Sequence, residues 1–363
     1  MISSFSAFAS RFSLPPTRKV CRSKSKDIMN ITNELLAKLT RDFVAKRVRQ
    51  DKDLVAIYLT GSTLRGDPLL GGTTDIDLVF VHKEDPEVER EVQRISYEVS
   101  FDIQHHHQSY YTFHRRLRLN PWLGEALNNR HSILYDTDHW LEFIQAGVGN
   151  QYLSPESIYG RALPFAEKAR SQWFDLEDPQ DVDFATWADL YFKAVYSAAN
   201  AVAVLAGPAL TTRRLLLDFP ARAEAVNRLP LVGDLARLIG SDMASLNLYQ
   251  DWRPAWEAVL MSASKDPDCP ANLNIARRSY FLSACDAMAE SGAVHAALWP
   301  VIETWRLAAQ TLVDDETVQA TWLTFLDALG FNPVTKEHRV LQLDQFLDQA
   351  EAALADWKSS YGL

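Results

Sequence analysis

Two segments decide how this chain is read: Ile57-Tyr58-Leu59-Thr60-Gly61-Ser62-Thr63-Leu64-Arg65-Gly66 and, after a spacer, Thr73-Thr74-Asp75-Ile76-Asp77-Leu78-Val79-Phe80-Val81. The first is an apolar run ending in Gly-Ser. Gly61 lets the backbone approach a ligand closely, and the residues after it open a helix with free amides. Such amides and the Ser62 hydroxyl suit an anion, above all a phosphate, and the loop contains no lysine. In the second segment Asp75 and Asp77 alternate with Ile76 and Leu78. On a strand this sets both carboxylates on one face, with Cα atoms roughly 6.5 to 7 Å apart, and the apolar residues on the other. Two neighbouring carboxylates repel unless a cation is shared between them, so a divalent metal such as Mg²⁺ is the economical explanation.

Further along, Tyr97, Val99, Phe101 and Ile103 form an apolar face, and Glu98, Ser100, Asp102 and Gln104 the opposite one. If this strand lies beside Asp75–Val81, Asp102 becomes a third carboxylate, able to bridge a metal and take a proton from an acceptor hydroxyl. Glu98, on the same face, is the reserve candidate for that base.

These elements together resemble the nucleotidyltransferase superfamily that includes DNA polymerase beta, and within it the small-molecule branch typified by aminoglycoside nucleotidyltransferases. The shared pattern is an apolar residue and Gly-Ser, a spacer, an acid-apolar-acid-apolar run, and a later apolar-acid-apolar strand. Here it is carried by Leu59 to Ser62, the twelve residues Thr63 to Thr74, Asp75-Ile76-Asp77-Leu78 and Phe101-Asp102-Ile103. The close resemblance spans about residues 54 to 104, and Thr73-Thr74 stands where relatives often have a serine before the first acid. The resemblance implies an α+β fold, with a mixed β-sheet nucleotidyltransferase domain followed by an all-helical bundle domain. It also implies two Mg²⁺ ions and transfer of a nucleoside monophosphate, AMP being the expected one, from ATP or another NTP to a hydroxyl, with release of pyrophosphate. Asp75, Asp77 and Asp102 are then the catalytic and metal-binding residues, and Gly61, Ser62, Arg65 and Lys193 the nucleotide-binding candidates. Lys193 enters because family members often send a helical-domain lysine to the triphosphate.

Composition sets the frame. The 363 residues are 47% hydrophobic and 23% charged, which excludes a disordered, collagenous or disulfide-scaffolded chain and suggests two domains. Lys and Arg number 37 against 47 Asp and Glu, a net charge of −10. That balance disfavours nonspecific nucleic-acid binding and agrees with a cationic acceptor. Residues 1–28 are serine-rich and hold six of the basic residues with one aspartate, so the remainder carries −15. This leader lacks the apolar core of a secretory signal; it suits either an organellar transit peptide or an extension ahead of a start near Met29. Cys21, Cys269 and Cys285 show no metal or disulfide spacing and indicate a reducing, cytoplasmic compartment. The uncharged run between Lys193 and Arg213 contains Ser197, Asn200, Gly207 and Pro208, and reads as a buried helix and its turn instead of a membrane span.

Periodicity predicts one helix from about Asn30, capped at Thr32 or Asn33, then strands over Leu54–Thr60, Asp75–Val81 and Tyr97–Gln104. The catalytic domain is expected over residues 29–150 and a helical domain over 151–363. The helices of the latter are expected to be broken by Pro208, Pro220, Pro230, Pro254, Pro267, Pro270, Pro300 and Pro333. Consecutive His105, His106 and His107 point in different directions and read as structural or surface residues, with contact of one of them to the nucleotide as the alternative. The basic run Arg115, Arg116 and Arg118 reads as a solvated turn or a triphosphate clamp. The ten tryptophans read chiefly as core. Two further functional readings stand beside transfer: a non-catalytic NTP-sensing module, and an antitoxin-like nucleotidyltransferase that modifies a helical RNase partner. Against the latter, the helical domain is fused and lacks the Arg-x4-6-His motif of such RNases.

Overall fold

The computed structural model describes residues 31–177 and 182–363; the basic leader and Cys21 lie outside them. Helix α1 spans Asn33–Gln50 and starts where the sequence allows, with the Thr32 side chain accepting from Leu35 N at 3.2 Å and Arg47 and Arg49 in its last turn. Five strands follow in one mixed sheet: β1 Leu54–Leu59, β2 Thr74–His82, β3 Arg90–Arg94, β4 Val99–His107 and β5 Ile133–Asp136. Their order is β3-β4-β2-β1-β5, with β2 and β4 parallel and the other pairs antiparallel.

Alternation along the strands sorts the side chains by face. Leu36 and Val44 of α1 cover Ile57, Ile76, Leu78, Phe80, Phe101 and Ile103. On the opposite face Tyr58, Val79 and Val81 pack under Leu117, Leu141 and Val148. Asp75, Asp77 and Asp102 belong by period to this second face, but at the end of β2 and β4 that precedes the apolar cover. The expected strands are thus present and paired as Asp102 requires. Two more were not foreseen: β3 is a charged edge strand and β5 a four-residue edge, both without an apolar alternation to announce them.

From Pro155 onward the described residues are helical. The helix Phe184–Ala203 runs through the middle of a large apolar core and ends in a turn at Val204–Ala206, so the uncharged run is a buried helix and its turn. Trp256, Trp299, Trp305 and Trp322 are fully buried there. The expectation that every proline breaks a helix fails at three places. Pro220, Pro254 and Pro300 sit inside Leu215–Ala225, Leu246–Ala263 and Val294–Thr311. A proline inside a helix costs about 3 kcal/mol, and the burial of neighbours such as Phe219, Trp256, Trp299 and Ile302 outweighs it. Among the described residues no helix is long and apolar enough to cross a membrane.

The helical part grips the segment that precedes β2. Arg213 is buried; its guanidinium lies 3.4 Å from the Tyr280 ring centroid and donates to Tyr280 O at 2.8 Å and Thr73 Oγ1 at 3.3 Å. Gly71, at φ +60°, lies so close to the helix Arg278–Glu290 that a Cβ would stand 2.0 Å from Ser283 O. Arg214 holds Asp67 through its carbonyl and its carboxylate.

Candidate active site

The parallel pairing of β2 with β4 sets Asp77 directly opposite Asp102 and Asp75 opposite Ser100. One carboxylate oxygen from each of Asp75, Asp77 and Asp102 lies within 4.8 Å of the others, the geometry of a cation site. Asp75 and Asp102 are buried and Asp77 is half-buried.

The Gly-Ser turn closes over this group. Thr60 N donates to Asp77 O at 2.9 Å, so β1 hands the chain directly onto the second acid. Gly61 has φ +69°, in the left-handed region that favours glycine, and opens the five-residue helix α2, Gly61–Arg65. Ser62 Oγ is buried and has no hydrogen-bond partner among the described residues. Buried polar groups ordinarily have a partner, and this one follows Gly61, where a Cβ would stand 1.8 Å from Asp77 Oδ2.

The electrostatics are set by two arginines. Arg90, on β3, forks onto Asp102, with Nε 2.7 Å from Oδ1 and Nη2 2.6 Å from Oδ2. Arg277, from the turn Ile275–Arg277, bridges two acids: Nη2 is 2.5 Å from Asp75 Oδ2, and Nη1 donates to Asp102 Oδ2. Burial opposes the charge on Asp102, but the Arg90 hydrogen bonds and the two guanidinium charges hold its carboxyl below the ordinary value. Among the described residues the Asp77 carboxylate accepts no hydrogen bond. Burial first, then the charges of Asp75 and Asp102, push its carboxyl well above the usual carboxylate range, and the Arg277 and Arg90 charges only partly offset this. Arg277 itself is held cationic: Asp75 and Asp102 more than offset its burial.

The other expected residues are placed elsewhere. Glu98 lies in the turn before β4, its carboxylate accepting from Ser96 Oγ at 2.9 Å. Arg65 pairs with Glu125 at 2.9 Å. Lys193 pairs with Asp189 at 2.8 Å, in a group that includes Arg306. Arg118 braces the carbonyls of Gly147 and Val148, at 2.7 and 3.2 Å. His105 is buried against His82, 2.9 Å between ring nitrogens, and His106 bonds Tyr111 Oη at 2.8 Å. Sequence reading missed Arg90 and Arg277. The available signal was indirect: a buried trio of acids demands counter-charge, yet nothing local says which of many arginines supplies it.

The donors fit a divalent cation. All three are hard carboxylate oxygens; among the described residues the Asp77 carboxylate has no hydrogen-bond partner, while Arg277 holds an oxygen on each of the other two.

Residues 41–119 match the family described as nucleotidyltransferase domain, a span that takes in Gly61, Ser62, Asp75, Asp77 and Asp102. No curated protein matches the chain. Among solved structures, the chain is similar to a nucleotidyltransferase-like protein from Exiguobacterium sibiricum. The match has 11% identity and a TM-score of 0.29, covering 82% of this chain and 91% of that one. A likeness at that level bears on nothing in the site. The chain therefore carries a nucleotidyltransferase domain within an α+β architecture, and it is a transferase of that kind.

Proposed function

We propose that this protein moves a nucleoside monophosphate, AMP being the favoured one, from an NTP to a hydroxyl of a small molecule or protein. The catalytic domain is taken as roughly residues 29–150 and the helical domain as 151–363. The observation that carries the reading is the convergence of Asp75, Asp77 and Asp102 from two parallel neighbouring strands, directly under the Gly61-Ser62 turn.

In the reaction the acceptor oxygen attacks the α-phosphorus, the bond to the bridging oxygen of the β-phosphate breaks, and pyrophosphate leaves with that electron pair. The hydroxyl proton passes to a carboxylate or to solvent. Such chemistry depends on positioning and charge stabilisation. Asp75, Asp77 and Asp102 would hold divalent cations, Mg²⁺ by the donor set, which when bound neutralise the triphosphate and the leaving pyrophosphate. Ser62 Oγ and the backbone after Gly61 would orient phosphate oxygens. Asp102, with Arg90 and Arg277 on it, is a weak proton acceptor in this arrangement. Arg65 and Lys193, the other nucleotide-binding candidates, are paired with Glu125 and Asp189.

The acceptor is proposed to be a polycation of the aminoglycoside kind, on the net charge of −10. The test is pyrophosphate release across an acceptor panel with Mg²⁺ and each NTP. Turnover lost in Asp75→Asn and Asp77→Asn, with the circular dichroism spectrum retained, supports the assignment; undiminished release by either variant refutes it. The guanidinium already seated on Asp75 and Asp102 favours a second reading, an NTP-sensing module without turnover. Labelled nucleotide appearing on any acceptor rules that reading out.

A further inference from the structure

Arg277 lies 202 positions from Asp75 and 175 from Asp102, yet its guanidinium links their Oδ2 atoms. The linkage is closed to solvent: Asp75 is 1% exposed, Asp102 2% and Arg277 6%. A guanidinium and a metal ion cannot use the same carboxylate lone pairs, since each donor hydrogen points at the lone pair a cation would take. With Arg277 in place only Asp77, of the three acids, retains its full donor capacity.

We propose that Arg277 is the resident counter-cation of the carboxylate trio and sets its affinity for divalent ions, which bind there only in competition with this side chain. The proposal rests on the metal-dependent reading above. Three guanidinium contacts stand in for an ion: one to Asp75, one to Asp102, and the supporting fork of Arg90 on Asp102. Counted with all three acids ionised, three carboxylates against two guanidinium groups leave one negative charge uncompensated, which a cation at Asp77 would neutralise.

For an ion to bind, the guanidinium must withdraw while the helical part stays, and two features favour this. The backbone around it is held by bonds that do not involve the acids. Arg277 N donates to Asn274 O at 2.8 Å, Ser279 Oγ donates to Tyr97 O, and Arg213 holds Tyr280 O. In addition Arg277 Nε is buried with no partner among the described residues, so the seated conformation carries an unsatisfied donor. The side chain lies 4.8 Å from the Tyr280 ring centroid and 5.7 Å from that of Phe281, an aromatic surface along which a guanidinium can move. Apparent metal affinity is then the intrinsic affinity multiplied by the fraction of molecules in which Arg277 is withdrawn.

The test is titration of the full chain with Mn²⁺ alone, free ion being read by electron paramagnetic resonance, together with thermal unfolding in the same samples. Arg277→Met should bind Mn²⁺ about tenfold more tightly than the parent, the factor expected if the withdrawn state is a minor one. Adding Asp77→Asn to that variant should abolish the gain. Without divalent ions Arg277→Met should melt below the parent, because it leaves acids unpaired, and Mn²⁺ should restore it. If Arg277→Met is recovered unfolded, Arg277→Lys carries the measurement, since lysine keeps the charge but cannot fork across two carboxylates. Equal Mn²⁺ affinity in parent and variant, still lost on Asp77→Asn, overturns the competition while leaving the metal site standing. Absence of any Asp77-dependent Mn²⁺ binding removes the metal reading and this inference with it.

Discussion

Gly61 and Asp77 are in contact through space that only a glycine leaves open: a Cβ on Gly61 would stand 1.8 Å from Asp77 Oδ2 and 2.7 Å from its Cγ. The phosphate-side turn and the second acid are thus one packed unit, joined also by the Thr60 N to Asp77 O bond. Gly61→Ala must move the carboxylate and strain a residue at φ +69°. A left-handed conformation costs a non-glycine residue about 1–2 kcal/mol. The expected outcome is a lowered melting temperature and a fall in turnover of about 100-fold, the effect of displacing a reacting group by an ångström. Full activity in Gly61→Ala would show that the turn does not position Asp77.

Asp77 is a site where chemistry and stability oppose each other. Burial and the charges of Asp75 and Asp102 raise its pKa in the fold. A raised carboxyl pKa contributes stability only while the group is protonated. That contribution is present below the unfolded value and is lost as pH rises through the folded one, so without divalent cations Asp77 destabilises the fold once it ionises. Asp77→Asn should therefore melt about 2 °C or more above the parent in EDTA while transferring no nucleotide. A lower melting temperature in EDTA would contradict the like-charge account.

The grip of the helical part on the segment before β2 passes through Arg213. Replacing it by Met keeps volume but takes the Arg213 donor from Tyr280 O and Thr73 Oγ1 and removes the cation from the Tyr280 ring. The lost bonds and ring contact should lower stability by about 2–4 kcal/mol in urea unfolding. An unchanged midpoint would mean that Gly71 against Ser283 suffices alone.

Acid should weaken the sheet region through His106. Burial first, then the neighbouring His105, lowers its pKa to about 4, and its ring also faces Tyr110 and Tyr111. An unfolded histidine takes its proton near pH 6.5, so from there down to about 4 the unfolded chain binds more protons and stability falls. Above that window His106 contributes no slope. His82, also lowered by burial and His105, acts in the same direction, with Asp51 and Asp53 pulling it back. His106→Gln should flatten part of the decline in melting temperature between pH 7 and pH 5; a slope identical to the parent's would clear His106 of the role.

Local pattern was enough for much of this architecture. Alternation within Asp75–Val81 and Val99–Gln104 states which side chains share a face, and it needs no partner to be legible, because a strand's period is a property of its own backbone. The same holds for the glycine turn after β1 and for the Thr32 cap. The edge strands β3 and β5 escaped because their sides meet solvent or a single neighbour, so no apolar rhythm marks them. The prolines at 220, 254 and 300 misled because a helix propensity is a local energy, and burial of the surrounding apolar residues is a larger, collective one.

By itself the sequence determined that three acids on two strands face one way beneath a Gly-Ser turn. Tertiary structure alone decided that β2 and β4 are neighbours in parallel, with Asp77 opposite Asp102, and that an arginine from the far half of the chain closes the gap between Asp75 and Asp102. The reason is physical. Periodicity fixes direction within a segment, whereas a buried ion pair is chosen by where folding brings charges together, and any of many arginines satisfies the sequence until the helices are packed.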